Sequence, residues 1–468
     1  MKIRVLSILI LFIFFQACSE DRESGLVFFG GEIINPVKKE ITLYKGSELV
    51  DTISIRPNNT FSYSFEASEE GLYTFWHGNE SQTVYIEPGD SILFRLNTLA
   101  FDKTLVYSGK EAARNNFFME LYLMNEENND LVFSYYKIGP SEFAQKTDSI
   151  RLEREKMLKD LEEKHQFSKK FTALAEKSID YEFYDLRERY AFLINKYFNP
   201  TGKEIPEDFF AYREEVDFND EQLKNLYVYQ RFLDNYLKNR SIENCPPRDE
   251  DRDCYNLNDY NNLRRRILLA DSLFELEVLR NRFFQRFGSK QIIFSKSQAQ
   301  IDSTLALFSK VKYEDLEELK GLMEIQLSYF VGNNISKKRI LTPEMEEKEL
   351  GDILKKPSII FIWSIYSPKD HKADHEKVRA LRNKYPEIDF IGANLDESEP
   401  EIWLTTMNEN NYDTDFEYQI RNRGRKKILY RNYLNKVFFV NEKGEIIMGN
   451  IDFDSPFLES RIVEFLNR

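Results

Sequence analysis

Asp370-His371-Lys372-Ala373-Asp374-His375 is the densest group of titratable residues with a useful spacing in this chain. On a helix, residues four apart share a face, so His371 and His375 would stand one above the other with Asp374 beside them. Two imidazoles and a carboxylate at that spacing suit Zn²⁺ or Cu²⁺. One helix supplies an incomplete ligand set, so the competing expectation is a solvated polar helix surface. Cys245 and Cys254 flank the polar segment Pro246-Pro-Arg-Asp-Glu-Asp-Arg-Asp253. A redox pair is normally tighter and sits at a helix start, where the thiol is acidified. This spacing points first to a loop-closing disulfide, with free thiols or a redox pair as alternatives. Arg421, Arg423, Arg425, Lys426 and Lys427 form the strongest basic run. It reads either as a docking patch for an acidic partner or lipid phosphate, or as a solvated loop offsetting the acidic mass.

Other chemistry is hard to find. No Gly-rich phosphate cradle, Ser/His/Asp triad or convincing glycosidase carboxylate pair stands out, and no cofactor is implied. The net charge of −14 argues against a nucleic-acid partner. Three cysteines in 468 residues exclude a disulfide-dense scaffold.

Residues 1–17 read as an export signal. Lys2 and Arg4 precede the apolar stretch Val5 to Phe15, which is short for a membrane span. Ala17-Cys18 at its end resembles the bacterial lipoprotein signal, which implies Cys18 as the acylated lipid anchor; an ordinary cleaved signal is the alternative. Acylation would hold the chain at a membrane by transfer energies of about 0.8 kcal/mol per buried CH₂. Residues 18–25 read as a tether, and the acidic run from Glu20 resembles the signal for outer-membrane display.

Three regions must position any site. Residues 26–109 read as an antiparallel β-sandwich of short strands, with Phe61, Tyr63 and Phe65 alternating and breaks at Pro57 and Pro88-Gly89. Residues 110–340 read as all-α, with apolar stripes expected to be helix–helix core. Residues 341–468 alternate strand and helix. Pro357 to Trp363 and Ile388 to Leu395 are buried-strand runs, Pro368 to Tyr385 is helical, Lys436 to Val440 turns into Glu445 to Met448, and Phe457 to Leu466 closes as a helix. The fold class is multidomain: β-sandwich, all-α middle, α/β thioredoxin-like end.

This last region resembles the TlpA-like thioredoxin-fold proteins through Ile360-Phe-Ile-Trp363, Ile391 to Asp396, Trp403 and Phe438 to Gly444. The order of signal, small β-domain, helical middle and thioredoxin-like end resembles envelope lipoproteins of that family. The resemblance implies a W-x-x-W-C-x-x-C after the first strand and a cis-proline before the third. Here Trp363, Tyr366, Ser367 and Asp370 occupy the first motif and Asn435 the proline position. Thiol exchange needs an attacking thiolate and a resolving thiol, so these residues read as a vestigial active site. Ser367-Pro368-Lys369-Asp370 also matches a capping box with Pro at the first helical position. The expectation is a lipid-anchored cell-envelope protein, on the outer membrane, whose redox-inactive module binds an envelope protein or peptide. The alternatives are a TlpA-like thiol-disulfide oxidoreductase and a metal-binding protein through His371 and His375.

Overall fold

The structure is a computed structural model that describes residues 25–109, 111–198, 205–421 and 425–467. The export signal, Cys18 and the acidic run lie outside the described residues, as does Arg423; of Arg425, Lys426 and Lys427 only the backbone is described. The chain clusters into two compact units. One holds the described part of Met1–Leu123 with Leu158–Ala175, the other Met124–Met157 with Glu176–Arg468.

The first unit carries strands β1 (Leu26–Ile34), β2 (Glu40–Lys45), β3 (Glu48–Ser54), β4 (Thr60–Glu66), β5 (Gly71–His77), β6 (Glu80–Ile86), β7 (Ser91–Asn97) and β8 (Val106–Ser108). They form two four-stranded sheets, β4-β1-β7-β8 and β3-β2-β5-β6. Alternation does the sorting: in β7, Ile92, Phe94 and Leu96 are buried and their neighbours are not. Phe29, Phe61 and Phe94 from one sheet and Phe75 from the other join one core. The expected pairing was antiparallel throughout, yet β1 and β7 are parallel, with Phe28 opposite Ser91. They are far apart in sequence, and so long a connection permits a parallel pair where a tight hairpin would not. Asp90, buried at the Pro88-Gly89 turn, accepts from Arg114 Nη2 at 2.7 and 2.8 Å, and Glu87 pairs with the same guanidinium. Arg114 lies on helix α1 (Ala112–Glu127).

Helices dominate the chain from there to residue 328: α2 (Pro140–Glu162), α3 (Lys169–Phe198), α4 (Tyr227–Ile242), α5 (Tyr260–Leu273), α6 (Glu277–Phe294), α7 (Gln298–Lys310) and α8 (Leu316–Ser328). Within the second unit the aromatic stripes are core: Tyr181, Tyr184 and Phe232 are buried against one another. Glu182, Asp185 and Glu188 also point inward from α3. Arg231 and Arg189 neutralise the first two and Arg213 the third, with Arg213 contacts at 2.7 and 2.8 Å. Buried charge is tolerable only with such pairing. A disulfide joins Cys245 and Cys254 and packs with Ile242, Tyr255 and Phe192. No described helix is long and apolar enough to cross a membrane.

The second unit ends in a seven-stranded sheet, β10-β9-β13-β12-β11-β14-β15. Its strands are β9 (Arg339–Leu341), β10 (Glu347–Glu349), β11 (Ser358–Trp363), β12 (Asp389–Asn394), β13 (Glu417–Ile420), β14 (Lys436–Val440) and β15 (Ile446–Asp452). β11 is buried at every residue, Ser358 and the apolar run Ile359 to Trp363, as a central strand must be. Helix α9 (Pro368–Lys384) carries the chain from β11 to its parallel neighbour β12, and α10 (Pro400–Asn410) lies between β12 and β13. β14 and β15 pair as a hairpin, β14 antiparallel to β11, and α11 (Leu458–Leu466) closes the chain. The short strands β9, β10 and β13 have no counterpart in the sequence reading.

Candidate functional site

The end of β11 and the loop leading into α9 converge on two buried carboxylates. Trp363 donates its indole N–H to Glu417 Oε2 at 2.9 Å. The loop that follows is tied to Asp396, just beyond β12. Ile365 N–H donates to Oδ2 at 2.8 Å and the Ser364 hydroxyl donates to Oδ1 at 3.2 Å. Asn394 completes the bracket, and Gln419 spans from β13 to both Asn394 Oδ1 and the Asp396 carbonyl. Burial raises the Asp396 carboxyl above its ordinary range, against the pull of these donors. Tyr366 is buried in the same loop; burial raises its phenol, with the Glu399 carboxylate adding to the effect.

Helix α9 starts as its sequence predicts, with Pro368 at its first position. The capping box does not form. Ser367 makes no side-chain cap bond; its carbonyl accepts from His371 N–H at 2.9 Å. Asp370 stays in the first turn, where the helix dipole favours a carboxylate.

The solvated-helix expectation for His371, Asp374 and His375 is overturned, since they are 2%, 5% and 7% exposed. The metal expectation is not met either. Both imidazoles are committed to protein partners, and no group of three or more His, Cys, Asp and Glu side chains able to hold a metal occurs among the described residues. His371 Nδ1 and the Tyr412 hydroxyl share a hydrogen bond of 2.5 Å. His375 lies flat on the Tyr412 ring, centroids 3.5 Å apart. Its Nδ1 faces the His371 carbonyl at 2.6 Å and its Nε2 faces Glu417 Oε1 at 3.1 Å. A carbonyl can only accept, so Nδ1 carries a proton. Neutral imidazole has one N–H, so the His375–Glu417 contact needs a second proton, on Nε2 or on the carboxyl. Burial holds His371 neutral by lowering it to about 3 and, with Asp454 and Asp370 close by, raises Asp374 to about 7.

Asn435 lies beside this site. Its N–H donates to the Ile362 carbonyl at 3.2 Å, and its φ of 57° is left-handed. Asparagine is among the few non-glycine residues that take that conformation readily. Of the basic run, Arg421 is half-buried and donates to the Glu397 carbonyl at 2.9 Å. That contact holds the backbone; the side chains of Arg423, Arg425, Lys426 and Lys427 lie outside the described residues. The disulfide cluster of Cys245 and Cys254 includes no residue of this site.

Sequence reasoning missed Glu417, Tyr412 and Asp396. Asp396 had a signal, as an acid two residues beyond a buried strand. Glu417 and Gln419 did not: in β13 the polar residues face inward while Tyr418 and Ile420 are only half-buried, inverting the usual pattern.

Chemically, the site holds protons and fixes a loop. It offers no thiol, and its imidazoles and carboxylates are closed from solvent. The strand order, the β11–α9–β12 crossover and the closing hairpin and helix make this part of the chain a thioredoxin-like module. No family model matches the chain, and no curated protein does. Among solved structures, the thioredoxin domain of a thiol-disulfide oxidoreductase from Bacteroides vulgatus is 14% identical, over 29% of this chain and 98% of that one, with a TM-score of 0.24. A thiol:disulfide interchange protein from Bacteroides sp. is 15% identical, over 30% and 93%, with a TM-score of 0.24. Both are likenesses only; the assignment rests on the strand order.

Proposed function

We propose that the chain is a TlpA-like envelope lipoprotein, anchored through Cys18 at the outer membrane, whose thioredoxin-like module binds a protein or peptide without redox chemistry. In this reading the paired N-terminal sheets are a β-sandwich spacer. One observation carries the proposal: where the chain leaves β11 for α9, the exchange positions are Ser367 and Asp370, and the two described cysteines are bonded to each other in the helical region. A hydroxyl and a carboxylate cannot carry a disulfide. The loop is nevertheless held by the Asp396 contacts to Ser364 and Ile365, which is the stiffness a docking edge needs.

The test pairs two measurements. In insulin reduction with dithiothreitol, the full chain should stay at the reductant's own rate; clear turnover would end the proposal. With a photo-crosslinking residue in place of Lys369, intact cells should yield a discrete protein adduct, absent when the crosslinker replaces exposed Lys310. Equal, diffuse labelling at both positions would count against binding at this loop.

A further inference from the structure

A second feature of the same unit lies away from the β11 loop. One face of α6 presents Arg282, Gln285, Arg286, Ser289, Lys290 and Ile293, a three-and-four spacing that aligns them in a single stripe. This stripe lines a cleft of about 530 Å³, closed by Glu318 of α8, Leu429 and Asn432 of the 3₁₀ segment Arg425–Tyr433, and Lys436 at the start of β14. Four of the lining residues are cations and one is an acid, in a chain of net charge −14.

Two of the cations have their charge already answered: Arg286 pairs with Asp234 and Lys436 with Asp452. The other two do not. Arg282 donates to the Lys224 carbonyl at 2.8 Å and to Asn225 Oδ1 at 3.3 Å, both neutral acceptors. Lys290 makes no ion pair among the described residues; burial and the cations Lys238, Arg266 and Arg286 lower its ammonium, with Asp234 the one opposing charge. Burial alone lowers Arg282. Cations gathered in a concave, partly desolvated site without enough carboxylates are stabilised by an anion brought from outside. Ile293, Phe294 and Leu429 supply the apolar part of the wall, beside the polar Gln285, Ser289 and Asn432.

We propose that this cleft binds a small organic oxyanion, a phosphate or sulfate monoester whose ester group is apolar, with the oxyanion between Arg282 and Lys290 and the apolar part against Phe294 and Leu429. Guanidinium and ammonium donors suit tetrahedral oxyanions, and the cleft volume fits the lower part of the range for small-molecule sites. The inference is independent of the binding role proposed for the β11 loop.

Calorimetric titration of the full chain with phenyl phosphate, phenyl sulfate, inorganic phosphate and phenol tests it. Saturable binding of phenyl phosphate or phenyl sulfate is expected, at least about tenfold tighter than inorganic phosphate, with phenol not binding. Lys290→Glu reverses a charge that reaches the surface at the cleft and should weaken the ester about tenfold or more. Phe294→Ala should erase the preference for ester over inorganic phosphate. Lys310→Glu on α7 should change nothing. No saturable binding of either ester, or binding unmoved by Lys290→Glu, would overturn the proposal. Equal affinity for inorganic phosphate would overturn its organic half.

Discussion

Gly392 and Glu417 face each other across the parallel pair β12–β13, and the Glu417 carboxylate fills the space that a side chain on Gly392 would need. The glycine is there for its absent Cβ. The carboxylate it admits collects Trp363 from β11 and His375 from α9, so one missing methyl lets a single acid tie three elements together.

Gly392→Ala should therefore destabilise the module by about 1–3 kcal/mol, as overpacking against a buried, hydrogen-bonded carboxylate does. Glu417→Ala should cost about 2–4 kcal/mol, because it strands the Trp363 N–H and His375 in a buried site. The double variant should cost less than the two together by more than about 0.5 kcal/mol, since the alanine at 392 then meets no carboxylate. Urea unfolding followed by tryptophan fluorescence measures all three, and strict additivity would show that the pair does not interact.

Asp374 and His371 make opposite contributions to pH dependence. Asp374 has an ordinary value of 3.8 and sits near 7 when folded. Its contribution is present below 3.8 and lost as pH rises to about 7. His371 has an ordinary value of 6.5 and sits near 3; its contribution is present above 6.5 and lost as pH falls. Between 3.8 and 6.5 the folded state keeps one proton the unfolded state has released and refuses one it has gained. The two slopes, about 1.4 kcal/mol per pH unit each, cancel. Asp374→Asn should expose stability that rises with pH across this window, and His371→Phe stability that falls. Unfolding midpoints read at Trp363 and Trp403 give both signs, and parallel behaviour of the two variants would refute the assignment.

The Cys245–Cys254 bridge closes a short loop, its ends nine apart in sequence numbering. Constraint of the unfolded chain at that length contributes about 2–3 kcal/mol. Tyr255 and Arg265 also hold the loop, through the Pro246 carbonyl at 2.9 Å and the Cys254 carbonyl at 3.0 Å. Cys254→Ser should thus lower stability toward the small end of that range and leave the loop in place. Denaturant midpoints with and without reductant test this: the wild type should shift and the variant should not.

If the β11–α9 loop has the geometry of an exchange site, thiols placed there should form a bond. Ser367→Cys combined with Asp370→Cys puts two thiols in the first turn of α9 at a spacing a disulfide can bridge. Thiol titration after air oxidation should find both consumed within the monomer. Two persistent free thiols would mean that the loop has drifted away from that geometry.

The sequence showed what is repeated or continuous and hid what is isolated. The apolar run of β11, the helical period of α9 and the Asn441-to-Gly444 turn each carry several residues that agree, so the central elements were legible. Strand β13 has four residues with its polar side inward, and nothing local distinguishes Glu417 from a solvated acid. His371 and His375 were legible as a pair and illegible in orientation. The polar character of α9 suggested water, whereas Trp363, Tyr412 and Glu417, from three distant segments, enclose them. Only long-range contact decides such a face.

Asn435 gives the last test. Its φ of 57° excludes proline, whose ring fixes φ near −65°, and its N–H is already used by the Ile362 carbonyl. Reinstating the proline that the family resemblance implies would remove that donor and force the segment before β14 to reorganise, so Asn435→Pro should cost about 3 kcal/mol or more. Asn435→Gly keeps both the N–H and the left-handed backbone and should lie within about 1 kcal/mol of the wild type. Comparing the two by thermal unfolding separates a conformational requirement from a side-chain one. Equal loss in both would assign the role to the asparagine amide instead.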